Sequence, residues 1–102
     1  PVFFLTPGEF FVAQKGSPFY DQDDTVYVLS SLSLYRSTDR GETWDRARGE
    51  AFVERDLEAR FTDLDVSIGS EDSVVLALGD RVGQIYLVGA EKVVWRPVSS
   101  SP

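Results

Sequence analysis

The stretch LYRSTDRGETWDRA, residues 34–47, decides the fold of this chain. It begins like a strand and continues into the pattern S-x-D-x-G-x-T-W, whose defining positions are Ser37, Asp39, Gly41, Thr43 and Trp44. An Asp side chain accepts hydrogen bonds from the N–H groups of its own turn, and glycine takes a positive φ at little cost. The pattern therefore predicts a structural turn between two strands rather than a catalytic loop. We expect the Ser37 and Thr43 hydroxyls to pair across the turn, and the Trp44 ring to be buried where the next strand begins.

The chain contains an internal repeat. TVYVL at residues 25–29 matches SVVLA at 73–77, an offset of 48, and residues 34–44 match IYLVGAEKVVW at 85–95 without a gap, an offset of 51. The second copy keeps a tyrosine and a tryptophan, Tyr86 and Trp95, but has Val, Ala and Lys where the first has Ser, Asp and Gly. Two units of about 50 residues with roughly four short strands each are typical of propeller blades.

Strand-like segments dominate both units. They are short, rich in β-branched and aromatic residues, and separated by Gly and Asp turn signals. The predicted strands are PVFFL and FFVAQ near the start, then residues 25–31, 33–37, 61–68, 73–79, 84–89 and 93–98. Residues 73–78 are apolar on both faces, which predicts a sheet covered on each side. Residues 50–60, EAFVERDLEAR, predict a short helix, with an extended acidic linker as the alternative.

Composition excludes several functions. The 102-residue chain contains neither Cys nor His, so disulfides, thiolate metal sites and histidine bases are excluded, and we expect no cofactor. Its net charge of −7 argues against nucleic-acid binding. No apolar run reaches the roughly 18 residues of a membrane span, so we expect a soluble protein of undetermined compartment, secreted or excised from a longer chain.

Carboxylates provide the remaining candidate sites. Asp21, Asp23 and Asp24 cluster in one turn and are the candidate for a weak calcium site, although the spacing does not fit an EF-hand. Asp63 and Asp65 share one face of a predicted strand, and a pair of carboxylates across a cleft is the machinery of glycosidases. Solvated turns and an exposed strand account for both groups more simply, so we predict no catalytic residue.

The quoted motif, following its LYRS strand, resembles the Asp-box, or BNR repeat, of β-propeller proteins such as sialidases, sortilin-type receptors and photosystem II assembly factors. The approach SPFYDQDDTVYV also resembles that family, whereas the second unit is similar only in Tyr86, Trp95 and the WRPV ending. The sialidase F/Y-R-I-P segment does not occur. The resemblance implies an all-β fold of two four-stranded antiparallel blades, residues 1–49 and 50–102, in one β-propeller-type module.

Two blades are too few to close a ring, since propellers typically have about four to eight. The expectation is self-association into a trimer or tetramer of this chain, or completion by blades of another chain; a two-sheet sandwich monomer is the third alternative. The function implied is a non-enzymatic binding or scaffold module, with a glycan or a peptide as ligand. The alternative is a fragment of a sialidase-like or other glycoside hydrolase propeller.

Overall fold

The computed structural model describes residues 8–48 and 60–98. Within these ranges the chain forms eight β-strands, one short α-helix (α1) and two 3-10 turns. The strands are β1 Phe11–Gly16, β2 Val26–Ser30, β3 Leu34–Ser37, β4 Asp45–Arg48, β5 Phe61–Ile68, β6 Val74–Asp80, β7 Ile85–Gly89 and β8 Val94–Pro97, and the helical segments are α1 Tyr20–Asp23, Ser70–Asp72 and Ala90–Lys92. The predicted PVFFL strand and the predicted helix, apart from Arg60, lie outside the described residues. No helix in the described ranges combines the length and apolar character that a membrane crossing requires.

The strands form two antiparallel sheets, which confirms the all-β prediction. The first sheet has the order β1-β2-β3-β4-β8 and the second the order β5-β6-β7. The expected division into four and four strands is wrong for the described residues, because β8 pairs with β4, with Ala47 opposite Trp95. The Trp95 ring accounts for this pairing: it packs 6.2 Å from the Tyr27 ring and 4.5 Å from the Arg36 guanidinium, both in the first sheet.

The spacing of the strands follows the sequence repeat. β2 and β6 begin at Val26 and Val74, an offset of 48, and β3 and β7 begin at Leu34 and Ile85, an offset of 51. The turns that follow β3 and β7 also share a backbone hydrogen bond. The Glu42 N–H donates to the Asp39 carbonyl and, 51 residues later, the Val93 N–H donates to the Ala90 carbonyl, each at 3.4 Å.

The core lies between the two sheets. Alternate residues of the inner strands face it, because successive side chains of a strand point to opposite faces. Its buried members are Tyr27, Leu29, Leu34, Ala47, Phe61, Leu64, Leu76, Leu78 and Ala90. Burying a side chain of leucine size stabilises the fold by about 1.5–3 kcal/mol, so this cluster holds the sheets together.

The two sheets differ in how their outer faces are covered. Every residue of β2, an inner strand of the first sheet, is buried, so this strand is covered on both sides. In the second sheet, Leu76 and Leu78 are buried, but Val75 and Ala77 on the other face are only partly buried. The expectation that residues 73–78 are buried on both faces therefore holds for one face only.

Candidate functional site

The S-x-D-x-G-x-T-W segment forms a turn organised around the Asp39 carboxylate. Oδ1 of Asp39 accepts hydrogen bonds from the Thr43 N–H at 2.9 Å and the Ser37 hydroxyl at 2.7 Å, and Oδ2 accepts one from the Thr43 hydroxyl at 2.6 Å. The bonds from Thr43, and then the one from Ser37, lower the pKa of Asp39 from 3.8 to about 2. The two hydroxyls therefore meet on the carboxylate rather than pairing directly, which corrects that expectation.

Ser37 and Gly41 complete the turn on its buried side. The Gly41 N–H donates to the Ser37 hydroxyl oxygen at 2.7 Å, and Gly41 has φ +95°, the region that glycine enters without a Cβ clash. The Trp44 indole N–H donates to the Gly41 carbonyl at 3.1 Å, directly before β4 begins. Every residue of the motif thus has a part in shaping this turn.

Arg40 fastens the turn to α1. Its N–H donates to the Asp24 carbonyl at 3.1 Å, and its Nε lies 2.7 Å from Oδ1 of Asp24. The Arg40 guanidinium also lies 5.7 Å from the centre of the Tyr20 ring. This ion pair links the residues just before β2 to the turn after β3. Because the pair is partly exposed, it adds little to the free energy of unfolding.

The three carboxylates of the candidate calcium site are used separately. Asp23 accepts hydrogen bonds from the Ser17 hydroxyl at 2.9 Å and the Thr25 N–H at 3.0 Å, while Asp24 pairs with the Arg40 guanidinium and Asp21 is exposed. In the described ranges, no group of three or more Asp, Glu, His or Cys residues is arranged to hold a metal ion. The Asp21–Asp24 cluster gives no support to calcium binding.

The second unit builds its turn without the polar motif. The Trp95 indole N–H donates a hydrogen bond to the Ala90 carbonyl at 3.0 Å, just as the Trp44 indole N–H donates to the turn of the first unit. The Tyr86 hydroxyl lies 2.7 Å from Oε1 of Gln84 and 3.2 Å from Oδ2 of Asp80, and its ring packs edge-on against Phe61 at 6.2 Å.

Asp80 is a turn-forming residue that the sequence motif missed. Its Oδ1 accepts hydrogen bonds from the N–H groups of Val82 at 3.1 Å and Gln84 at 2.9 Å, much as Asp39 caps its own turn. This turn joins β6 to β7 and has Gly83 at φ +86°. The sequence signal was the Gly79-Asp80 turn followed by Gly83, which predicts a turn without indicating that the carboxylate is buried in it.

A buried polar network was also missed. Glu9 is 8% exposed and accepts hydrogen bonds from the Ser30 hydroxyl and from the Tyr35 hydroxyl, the latter at 2.7 Å. Burial, followed by the hydrogen bond to Glu9, raises the pKa of Tyr35 well above its usual value of 10.0. No motif surrounds Glu9, and only the pairing of distant segments brings it to Ser30.

Asp63 and Asp65 lie on β5 with exposed side chains. Opposite them on β6 are Gly79 and Ala77, and Oδ1 of Asp65 accepts a hydrogen bond from the Val66 N–H at 3.0 Å. These positions fit the simpler interpretation of the pair as an exposed strand face.

A pocket of about 310 Å³ lies between the two sheets. Asp23 of α1, Tyr27 of β2 and Arg36 of β3 line one side of the pocket. Asp72 and Glu91, from the turns next to β6 and β7, line the other side. A pocket of this size is at the lower end of the range for small-molecule sites, and polar groups that converge in it are what such sites require.

The chain matches no protein-family model, no curated protein and no solved structure. The resemblance to Asp-box propellers thus rests on the motif and the repeat alone.

Proposed function

We propose that the chain is a non-enzymatic β-propeller-type module that acts as a binding or scaffold unit and associates with copies of itself. The observation that carries this proposal is the uncovered face of β7. Ile85 is 73% exposed and Leu87 is 71% exposed. Neighbouring apolar side chains of this size, exposed on one strand face, typically mark an interaction surface.

The surroundings of these two residues support an interface. Leu87 lies opposite Ala77 and Ile85 lies opposite Gly79, so the apolar face extends from β7 onto β6. β7 is an edge strand within the described sheet, and its sequence IYLVG contains neither a charged residue nor a proline. Edge strands of monomers usually carry such residues to prevent pairing with other chains.

The asymmetry between the sheets supports the same proposal. The first sheet has an inner strand buried on both faces, whereas the outer face of the second sheet is at most partly buried. A propeller blade lies between two neighbours, so a neighbouring copy is the natural cover for the open face. Three copies would contribute six units and four copies eight, both within the usual size of a ring.

The net charge of −7 bears on how the copies meet. Like-charged copies repel one another at low salt, so the contact has to be apolar. The exposed carboxylates of Asp63 and Asp65 are on β5, the opposite edge of this sheet from β7. They share the outer face with Ile85 and Leu87, because Asp63 lies opposite Gly79 and Asp65 opposite Ala77, so we centre the contact on β7 and β6 rather than on β5.

The decisive measurement is the native mass of the chain by light scattering, compared with an 11.4 kDa monomer. We expect a trimer or tetramer that Leu87→Lys converts to monomers without a change in far-ultraviolet circular dichroism. Val82→Lys is the matched control, because Val82 is 55% exposed in the turn before β7 rather than on its face. A monomer for the unsubstituted chain at high concentration would refute self-association, and specific turnover of fluorogenic sialosides or glucans would refute the non-enzymatic assignment.

A further inference from the structure

Tyr27 presents an unusual hydroxyl to the pocket between the sheets. Its side chain is only 3% exposed, it lines the pocket, and its hydroxyl makes no hydrogen bond with the described residues. The hydroxyl oxygen keeps contact with solvent, since the unpartnered buried side-chain atoms in the described ranges are Nε of Arg36 and Nε of Arg60. A tyrosine hydroxyl both donates and accepts, so it is available to a group that enters the pocket.

The charges around the pocket indicate the sign of that group. Its lining includes the carboxylates of Asp23, Asp72 and Glu91 and a single guanidinium, that of Arg36. Asp45 balances the Arg36 charge, because its Oδ2 lies 3.5 Å from Nη2 of Arg36. The remaining charge is negative, which favours a cation over an anion.

We propose that this pocket binds a primary ammonium group, carried by a small organic amine or by a lysine side chain of a partner. An ammonium has three N–H donors, and the pocket offers three acceptors for them in the Tyr27 hydroxyl and the carboxylates of Asp72 and Glu91. The alkyl stem lies against Phe19 and Val74, two apolar members of the lining.

The state of Tyr27 is suited to this role. Burial, which is the largest cause, raises its pKa above 10.0, while the nearby Arg36 charge lowers it and the Asp23 charge raises it. The phenol therefore keeps its proton at neutral pH, where an alkylamine is charged. The proposal does not depend on self-association, since every residue named here belongs to one copy.

Trp95 reports on this pocket and Trp44 serves as an internal reference. The Trp95 ring contacts both Tyr27, at 6.2 Å, and Arg36, at 4.5 Å, whereas the Trp44 indole N–H is bonded within the turn before β4. In ¹⁵N-labelled protein the two indole N–H signals can be followed together. We expect n-butylamine hydrochloride to shift the Trp95 signal saturably in the millimolar range and to leave the Trp44 signal in place, and 1-butanol to shift neither.

Peptide binding shows whether the ammonium comes from a small amine or from a lysine side chain of a partner. Acetyl-Gly-Lys-Gly-amide is compared with the same peptide containing norleucine, which keeps the alkyl stem and removes the charge. Tighter binding of the lysine peptide than of butylamine indicates a partner side chain, and the reverse indicates a small amine. Each result supports an ammonium site.

Variants test which residues hold the group. We expect Asp72→Asn combined with Glu91→Gln to weaken butylamine binding about tenfold. Asn suits position 72 because it tolerates the φ of +58° there. The matched control is Asp63→Asn with Asp65→Asn, which removes the same charge from the exposed face of β5. Tyr27→Phe, which keeps the ring, should also weaken binding.

Three results would overturn the proposal. One is an equal shift of both indole signals, and another is equal weakening by the control pair, because either would show that amines respond only to the overall negative charge. The third is a saturable Trp95 shift with sodium acetate and none with butylamine, which would make this an anion site at Arg36.

Discussion

Ser37→Ala tests whether the S-x-D-x-G-x-T-W segment is a structural turn. Ser37 is 1% exposed, and its hydroxyl oxygen accepts the Gly41 N–H at 2.7 Å. Alanine removes the hydroxyl and leaves the buried Gly41 N–H without an acceptor, which lowers the free energy of unfolding by about 1–3 kcal/mol. For a domain of this size, a loss of about 2 kcal/mol lowers the melting temperature by roughly 8–16 °C.

The assay is thermal unfolding followed by circular dichroism, with Thr38→Ala as the control. Thr38 is the next residue in the same turn, but its side chain is exposed and makes no hydrogen bond in the described structure. We expect the control to melt within a few degrees of the unsubstituted chain. If Ser37→Ala lowers the melting temperature no more than Thr38→Ala, the hydroxyl does not support the turn, and the motif needs a functional explanation.

Two further predictions concern ionisable groups. Asp39 has its pKa lowered from 3.8 to about 2, so its contribution to stability is complete above pH 3.8 and is lost as the pH falls through 2. In urea titrations, Asp39→Asn should be the less stable chain at pH 6, and the difference should vanish near pH 2; a constant difference would contradict the assigned bonds. Tyr35→Phe should destabilise the chain by about 1–3 kcal/mol at pH 7, because Glu9 loses a buried donor. Since the folded pKa of Tyr35 is raised above 10.0, the unsubstituted chain loses stability above pH 10, and a difference that does not narrow there would argue against the buried network.

Local sequence signals predicted the strands well. Hydrophobic pattern and turn residues placed strands at or near every described strand except β4, which only the turn motif implied, and the alternation in residues 61–68 matches β5. They also predicted that Asp39 accepts an N–H of its own turn, as it does from Thr43, and that Gly41 has a positive φ. These features depend on residues within a few positions of one another, so they can be predicted from one sequence.

Contacts between distant segments could not be predicted in the same way. The pattern of β8 identifies a strand but does not say whether it joins β7 or β4, because both edges offer equivalent backbone groups. The choice depends on where the Trp95 ring is buried, which is a tertiary property. The bond between Glu9 and Tyr35 spans 26 residues, and the pocket at Tyr27 requires both sheets to be in place.

The two turns explain why one unit needs the polar motif and the other does not. The turn after β3 passes through positive φ at Arg40, +62°, and at Gly41, +95°. A residue with a Cβ is strained in this region unless local hydrogen bonds support it, whereas glycine is not. Gly41 relieves the strain directly, and the Asp39 carboxylate supports the rest of the turn. The turn after β7 is a 3-10 turn, Ala90–Lys92, in which every φ is negative, so neither glycine nor aspartate is required. Both turns still receive a hydrogen bond from a tryptophan indole, and this bond, rather than the polar residues, is the feature that the two units have in common.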